Sequence, residues 1–296
     1  MISQLEDRGR QGMAWLDRQT DGWFVLFFEA LRDVLSFKSS LYGAATAYFA
    51  LFSIFPLILL TLGIASFWLD PQTTWQEILS RLEFVVPALD DLLGNYLDQI
   101  AASRGAVTRL SAVALVWSAS SIIYMFTRAM DDLWEGVMVR PAWRHRALAI
   151  AVTLATSALL LMVSIAWGVV VPVVNSFLPD QIIRISPYLS ILGSALLNVA
   201  LFALLYYMLP NMRMQWIDVI LGAIFAGLLW EVAKRAFLFF VTNYLTASNL
   251  IYGSMTTIIV FLTWAYISSL IFLFGGHVNV RYKRRRQRQR EEAART

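Results

Sequence analysis

The stretches that carry no charged side chain decide what this chain can become. No Asp, Glu, Lys or Arg occurs between Lys38 and Asp70, Arg109 and Arg128, Arg146 and Asp180, or Arg184 and Arg213. A charge at the centre of a bilayer is costly. A helix needs about 20 apolar residues to cross a hydrocarbon core of about 30 Å. These four gaps therefore read as four membrane spans. Pro187 and Pro210 bracket the fourth, where proline suits a helix end better than its interior. Composition agrees: 58% of residues are apolar and 15% charged, against roughly 45–50% and 25% in soluble domains. A disordered chain and an ordinary soluble enzyme are excluded. The absence of cysteine excludes a disulfide scaffold.

The last third is harder to divide. The apolar run Val219–Trp230 is short, and Glu231, Lys234 and Arg235 follow it. A fifth helix from Ile217 to about Val241 spans only by carrying those charges inside. The charge-free run from Ala236 to Val280 is too long for one crossing at 1.5 Å per residue. Its polar patch Thr242–Asn249 is expected to break it, which leaves a sixth span from about Tyr252 to Gly276. The expected fold is thus an all-α polytopic bundle of six transmembrane helices with amphipathic interfacial helices. It divides into an arm (1–38), the membrane domain (39–280) and a basic tail (281–296).

Six spans place both ends on one side. That side carries eighteen Lys and Arg residues and the other four, so the positive-inside bias puts both termini in the cytoplasm. The first 20 residues lack the apolar core of a secretory signal, and the first span is expected to insert itself. Trp23 to Leu35 places Trp23, Phe24, Phe27, Leu31, Val34 and Leu35 at helical spacing, which predicts an amphipathic helix in the interface. The exterior segment 70–109 carries two further amphipathic stripes. It reads as a solvated lid or as a gate over an opening. The tail RYKRRRQRQR adjoins the last span and is expected to meet anionic lipid, at about 1 kcal/mol per cation, rather than nucleic acid.

Several residues could carry chemistry. Glu231 lies about two-thirds of the way across its helix, with Lys234 and Arg235 within one turn. An intramembrane acid is a functional candidate by default, and a pair that locks the bundle is the other reading. Pro56, after Ser53, removes a backbone hydrogen bond mid-span and is expected to bend the first helix. Ser118, Ser120, Ser121 and Asn198 suit interhelical hydrogen bonds. Asp131, Asp132 and Glu135 cluster beside Trp134. Two histidines, His145 and His277, with no HExxH and no cysteine, do not supply the three protein ligands of a hydrolytic zinc site. No phosphate loop, nucleophile elbow or dinucleotide fingerprint occurs. No cofactor is expected, and an enzyme is the weakest class.

The segments AYFALFSIFPL around Pro56, MDDLWE at Trp134, Arg140–Pro141, LPNMR ending in Arg213, GAIFAGLLWEVAKRAF, NLIYGSM and FLTWAYISSLIFLFGG stand in one order. In these the chain resembles the YihY/BrkB family of bacterial inner-membrane proteins, once labelled ribonuclease BN. Gly222, Glu231, Lys234, Tyr252, Gly253, Trp264 and Asn279 match its pattern. The resemblance implies six spans and cytoplasmic termini. It also suggests handling of a lipid-like or amphipathic solute. The buried charge and the broken helices add the expectation of a cavity lined by the first, fifth and sixth spans with Glu231 and Lys234 facing inward, the alternative being a structural or partner-binding protein of the envelope without transport. A family likeness by itself does not establish function. The ribonuclease label does not suit a chain without metal ligands. Where the family usually reads Gly-Ala-Glu near its last helix, this chain has Gly275–Gly276–His277.

Overall fold

The computed structural model of the protein describes residues 23–65, 104–134, 141–177, 186–212, 214–252 and 254–294. Their order is α1 (Trp23–Val34), α2 (Phe37–Ala65), α3 (Arg104–Leu133), α4 (Ala142–Phe177), α5 (Ser186–Met208), α6 (Trp216–Tyr252) and α7 (Ser254–Ala293). The lid from 70 to 103, Glu135 and Arg213 lie outside the described residues. Residues 104–109 form the first turns of α3.

Helices dominate because a backbone in hydrocarbon must satisfy its own N–H and C=O groups. Among the described residues, five stretches are long and apolar enough to cross a bilayer: Phe37–Thr61, Gly105–Leu133, Ala142–Met162, Trp216–Asn243 and Ile258–Ala293. Gly193–Met208, within α5, is apolar and shorter. In none of the five is the most apolar window more than 39% buried. Phe52, Trp117, Leu161, Val232 and Phe239 all point outward. An apolar exterior on this scale fits a lipid solvent and not water. The chain is an all-α membrane bundle.

The fifth expected helix is longer than expected, and the polar patch does not interrupt it. Thr242 Oγ1 donates to the Leu238 carbonyl at 2.9 Å, and Asn243 Nδ2 donates to the Phe239 carbonyl at 2.7 Å. Side chains that return their hydrogen bonds to the same helix leave its ladder intact. The helix runs on to Tyr252. Pro56 likewise lies inside an unbroken α2. Ser53 Oγ donates to the Phe49 carbonyl at 2.8 Å instead of facing a cavity. α7 continues as helix through the basic segment to Ala293.

α7 is the central post and packs on α1, α2, α3 and α6. Its crossing with α6 is close because both helices are reduced to glycine there. A Cβ at Gly222 would overlap the Gly275 carbonyl and the Asn279 amide oxygen, and one at Gly275 would overlap the Tyr206 hydroxyl. Small residues let membrane helices approach until backbones touch. Around this crossing Met130, Tyr206, Leu209, Phe272 and Leu273 form the core. Tyr206 is fully buried, and its hydroxyl donates to the Phe272 carbonyl at 2.6 Å.

α1 is amphipathic, but its buried stripe differs from the expected one. Leu26, Ala30 and Val34 are buried, with Leu26 and Ala30 in one cluster with Val278, while Leu31 and Leu35 are exposed. Phe27 meets Phe225 edge-on at 4.2 Å. The reason is charge: Glu29 and Asp33 turn toward Arg281 of α7, which fixes the rotation of the helix. The exposed Phe28, Leu31 and Leu35 leave a second apolar face away from the bundle. The arm and the start of the tail therefore meet at one end of the bundle.

Candidate functional site

Glu231 sits on α6 where that helix faces α5. Its side chain is largely buried, and three donors converge on it. Asn198 Nδ2 donates to Oε1 at 2.8 Å, and Lys234 Nζ lies 2.9 Å from both carboxylate oxygens. Ser194 Oγ lies at the limit of reach, 3.5 Å from Oε1. Helical spacing of three residues stacks Lys234 over Glu231. The lysine stem runs outward and stays 38% exposed, as an amphipathic side chain does when it keeps its ammonium near a wetter zone. Arg235 is exposed on the neighbouring face.

Beside this pair the α6–α7 contact opens into an apolar groove of about 660 Å³. Ala233, Ala236, Phe237 and Phe240 form one wall, and α7 supplies the other from Thr256 to Ile267. Two alanines in α6 create the space. Trp264 forms the end of the groove, stacked on Phe237 at 4.6 Å and tilted against Trp230 at 5.3 Å. The Thr256 hydroxyl is buried without a protein partner. The groove differs from the expected cavity in two ways. α2 does not line it, and neither do Glu231 and Lys234, which are spent on the α5–α6 contact. Of the residues singled out in the sequence whose side chains are described, Trp264 alone reaches the groove.

The other candidates are placed elsewhere. Asn279 is buried and accepts from the Gly222 backbone N–H at 2.8 Å, locking the glycine crossing. Asp132 accepts from the Tyr42 hydroxyl and pairs with Lys38 at 3.0 Å, joining α3 to α2. Its neighbour Asp131 accepts from the Asn211 N–H at 2.9 Å and stands 3.6 Å from His145. Arg146 bridges α4 to α3, donating to Ser121 Oγ and to the Trp117 carbonyl with its guanidinium over the Trp117 ring. Tyr252 ends α6, and its side chain lies outside the described atoms. Ser53 and Pro56 stay within α2.

One grouping was invisible in the sequence. Ser39 Oγ lies 3.1 Å from His277 Nε2, and His277 Nδ1 is 3.8 Å from Asp33. The residue types match a hydrolytic triad, but the geometry does not. Ser39 Oγ also donates to the Asp33 carbonyl at 3.1 Å, and Asp33 is held by Arg281. Ser39 and His277 are both buried. The trio fastens α1, α2 and α7 together. The only advance sign was the histidine that replaces the acid of the resembled family.

No group of three or more His, Cys, Asp or Glu suited to a metal ion occurs among the described residues. The chain is 28% identical over 219 residues to a UPF0761 membrane protein of Cronobacter sakazakii, covering 70% of this chain and 72% of that one. It is 28% identical over 218 residues to the UPF0761 membrane protein YihY of Escherichia fergusonii, covering 70% and 71%. A longer match, 29% over 249 residues, to a Paraburkholderia xenovorans membrane protein covers 81% of this chain and 52% of that relative. No solved structure matches. Residues 30–296 match the family described as Virulence factor BrkB, and the chain belongs to that family of integral membrane proteins.

Proposed function

We propose that this protein binds and moves a lipid-like amphipathic solute, with an acyl chain seated in the α6–α7 groove. The groove carries this reading. Its walls are apolar and aromatic, its volume falls in the range of small-molecule sites of roughly 300–1,000 Å³, and acyl chains are the surrounding solvent at that depth. Thr256 offers one hydroxyl to an otherwise apolar guest. On this reading the protein sits in the bacterial inner membrane with both ends cytoplasmic. The excess of Lys and Arg supports that orientation, and the junction of Arg281 with Glu29 and Asp33 supports a common side for the arm and the start of the tail. The test is lipid translocation in reconstituted vesicles, using a fluorescent phospholipid and a membrane-impermeant quencher. Wild type should move the probe, and Ala236→Trp, which fills the groove, should not, at equal amounts of folded protein.

A second reading, a structural or partner-binding protein without transport, is favoured by one observation. Glu231 has its donors in place and faces a helix contact. On that reading, wild-type vesicles move no probe above background, and substitutions at Glu231 lower the melting temperature alone.

A further inference from the structure

Where α6 begins beside the charged half of α7, a second cavity of about 240 Å³ has the opposite chemistry. Gln215 and Asp218 at the start of α6 line it with Lys283, Arg286, Gln287 and Arg290 of α7. The three cations recur at spacings of three, four and seven, so the helix gathers them on one face. Asp218 is buried, and its Oδ1 accepts from Arg286 at 3.2 Å while Oδ2 lies 4.0 Å from Lys283. Arg286 also reaches Gln215 Oε1 at 3.4 Å. One carboxylate thus holds Arg286 in place and leaves the cavity with a positive excess. Lys283 Nζ lies 5.0 Å from the Trp134 ring.

The depth of this cavity is marked independently. Trp216, next to Gln215, stacks on Tyr207 at 4.4 Å, and both rings are exposed. Paired Trp and Tyr at the end of apolar helices mark the headgroup level of a bilayer. The cavity is smaller than a site for a whole ligand and holds a headgroup without its chains. Guanidinium groups match phosphate oxygens in geometry and charge.

We propose that this cavity binds the phosphate of an anionic phospholipid headgroup, with Arg290 and Arg286 as donors and Lys283 as the third cation. It is separate from the apolar groove and does not depend on transport. The generic attraction of a basic tail for anionic lipid becomes, here, a site with a fixed set of side chains.

The test is native mass spectrometry of the full-length protein in neutral detergent with added phosphatidylglycerol, phosphatidylcholine or inorganic phosphate. Phosphatidylglycerol should bind one to one in preference to phosphatidylcholine. Arg290→Gln should weaken it by about tenfold, as expected for loss of one charged hydrogen bond, and Arg288→Gln, with the same change in charge outside the cavity, should leave it unchanged. Because Arg286 also holds Asp218, Arg290→Gln is the decisive variant. Equal weakening by the two substitutions, or equal binding of the two lipids, overturns the proposal. Displacement of phosphatidylglycerol by inorganic phosphate at equal concentration would assign the site to a soluble anion and overturn the lipid assignment.

Discussion

Asn198 of α5 donates to Glu231 of α6 at 2.8 Å where the two helices face each other. That bond converts a carboxylate at bilayer depth from a liability into a helix contact, because the acid meets an amide and an ammonium instead of hydrocarbon.

The Glu231–Lys234 pair should respond asymmetrically to truncation. Lys234→Ala leaves a buried carboxylate with Asn198, Ser194 and the more distant charge of Arg235, which should cost roughly 3 kcal/mol, the lower end for an unpaired buried charge. Glu231→Ala leaves an ammonium that is already partly exposed and can reach a wetter zone, so its cost should be smaller. Asn198→Ala should cost about 0.5–2 kcal/mol, as membrane interhelical hydrogen bonds do. Thermal unfolding in detergent ranks the three, and equal losses for Lys234→Ala and Glu231→Ala contradict the assignment.

Gly222→Ala should open the α6–α7 crossing. Its Cβ has no room beside Gly275 and Asn279, and overpacking of this kind costs about 1–3 kcal/mol. Gly105→Ala is the control, because a Cβ there meets nothing within 4 Å and helix propensity favours alanine by about 1 kcal/mol. Comparing their melting temperatures separates a steric requirement from a general intolerance of substitution.

Arg281→Ala should free α1 from the bundle without unfolding it. Arg281 ties Glu29 and Asp33 to α7, yet these groups are partly exposed, so the loss should be no more than about 1 kcal/mol. Hydrogen exchange over residues 23–34 should rise while that of α6 stays constant.

His277→Glu should lower the melting temperature. A carboxylate there would stand near Asp33, at 3.8 Å from the present Nδ1, and would take Ser39 as its other neighbour. His277→Gln, which keeps a neutral polar group, should be milder. The reverse order would mean that Arg281 can hold two acids at once.

The helices were legible because charge-free runs report directly on burial in lipid. The rotation of each helix was not, because a helix apolar on every side carries no periodic signal to say which face meets which neighbour. So Glu231 and Lys234 were recognisable as a pair, but not their engagement with Asn198. The same blindness hid the Ser39–His277 contact and gave α1 a buried stripe through Leu31 that the Arg281 contacts move to Leu26 and Ala30. The misplaced break at Thr242 has a different cause. A polar patch suggests a break in an apolar run, whereas Thr242 and Asn243 bond back onto their own helix.

The most direct measurement is photo-crosslinking of the purified protein by a phospholipid with a photoreactive acyl chain, mapped by peptide mass spectrometry. Adducts concentrated on Ala233, Ala236, Phe237 and Phe240 and on the α7 wall of the groove, and suppressed by Ala236→Trp, are the predicted result. Adducts spread evenly over outward positions such as Val232, Leu238 and Phe239, and indifferent to that substitution, would contradict it.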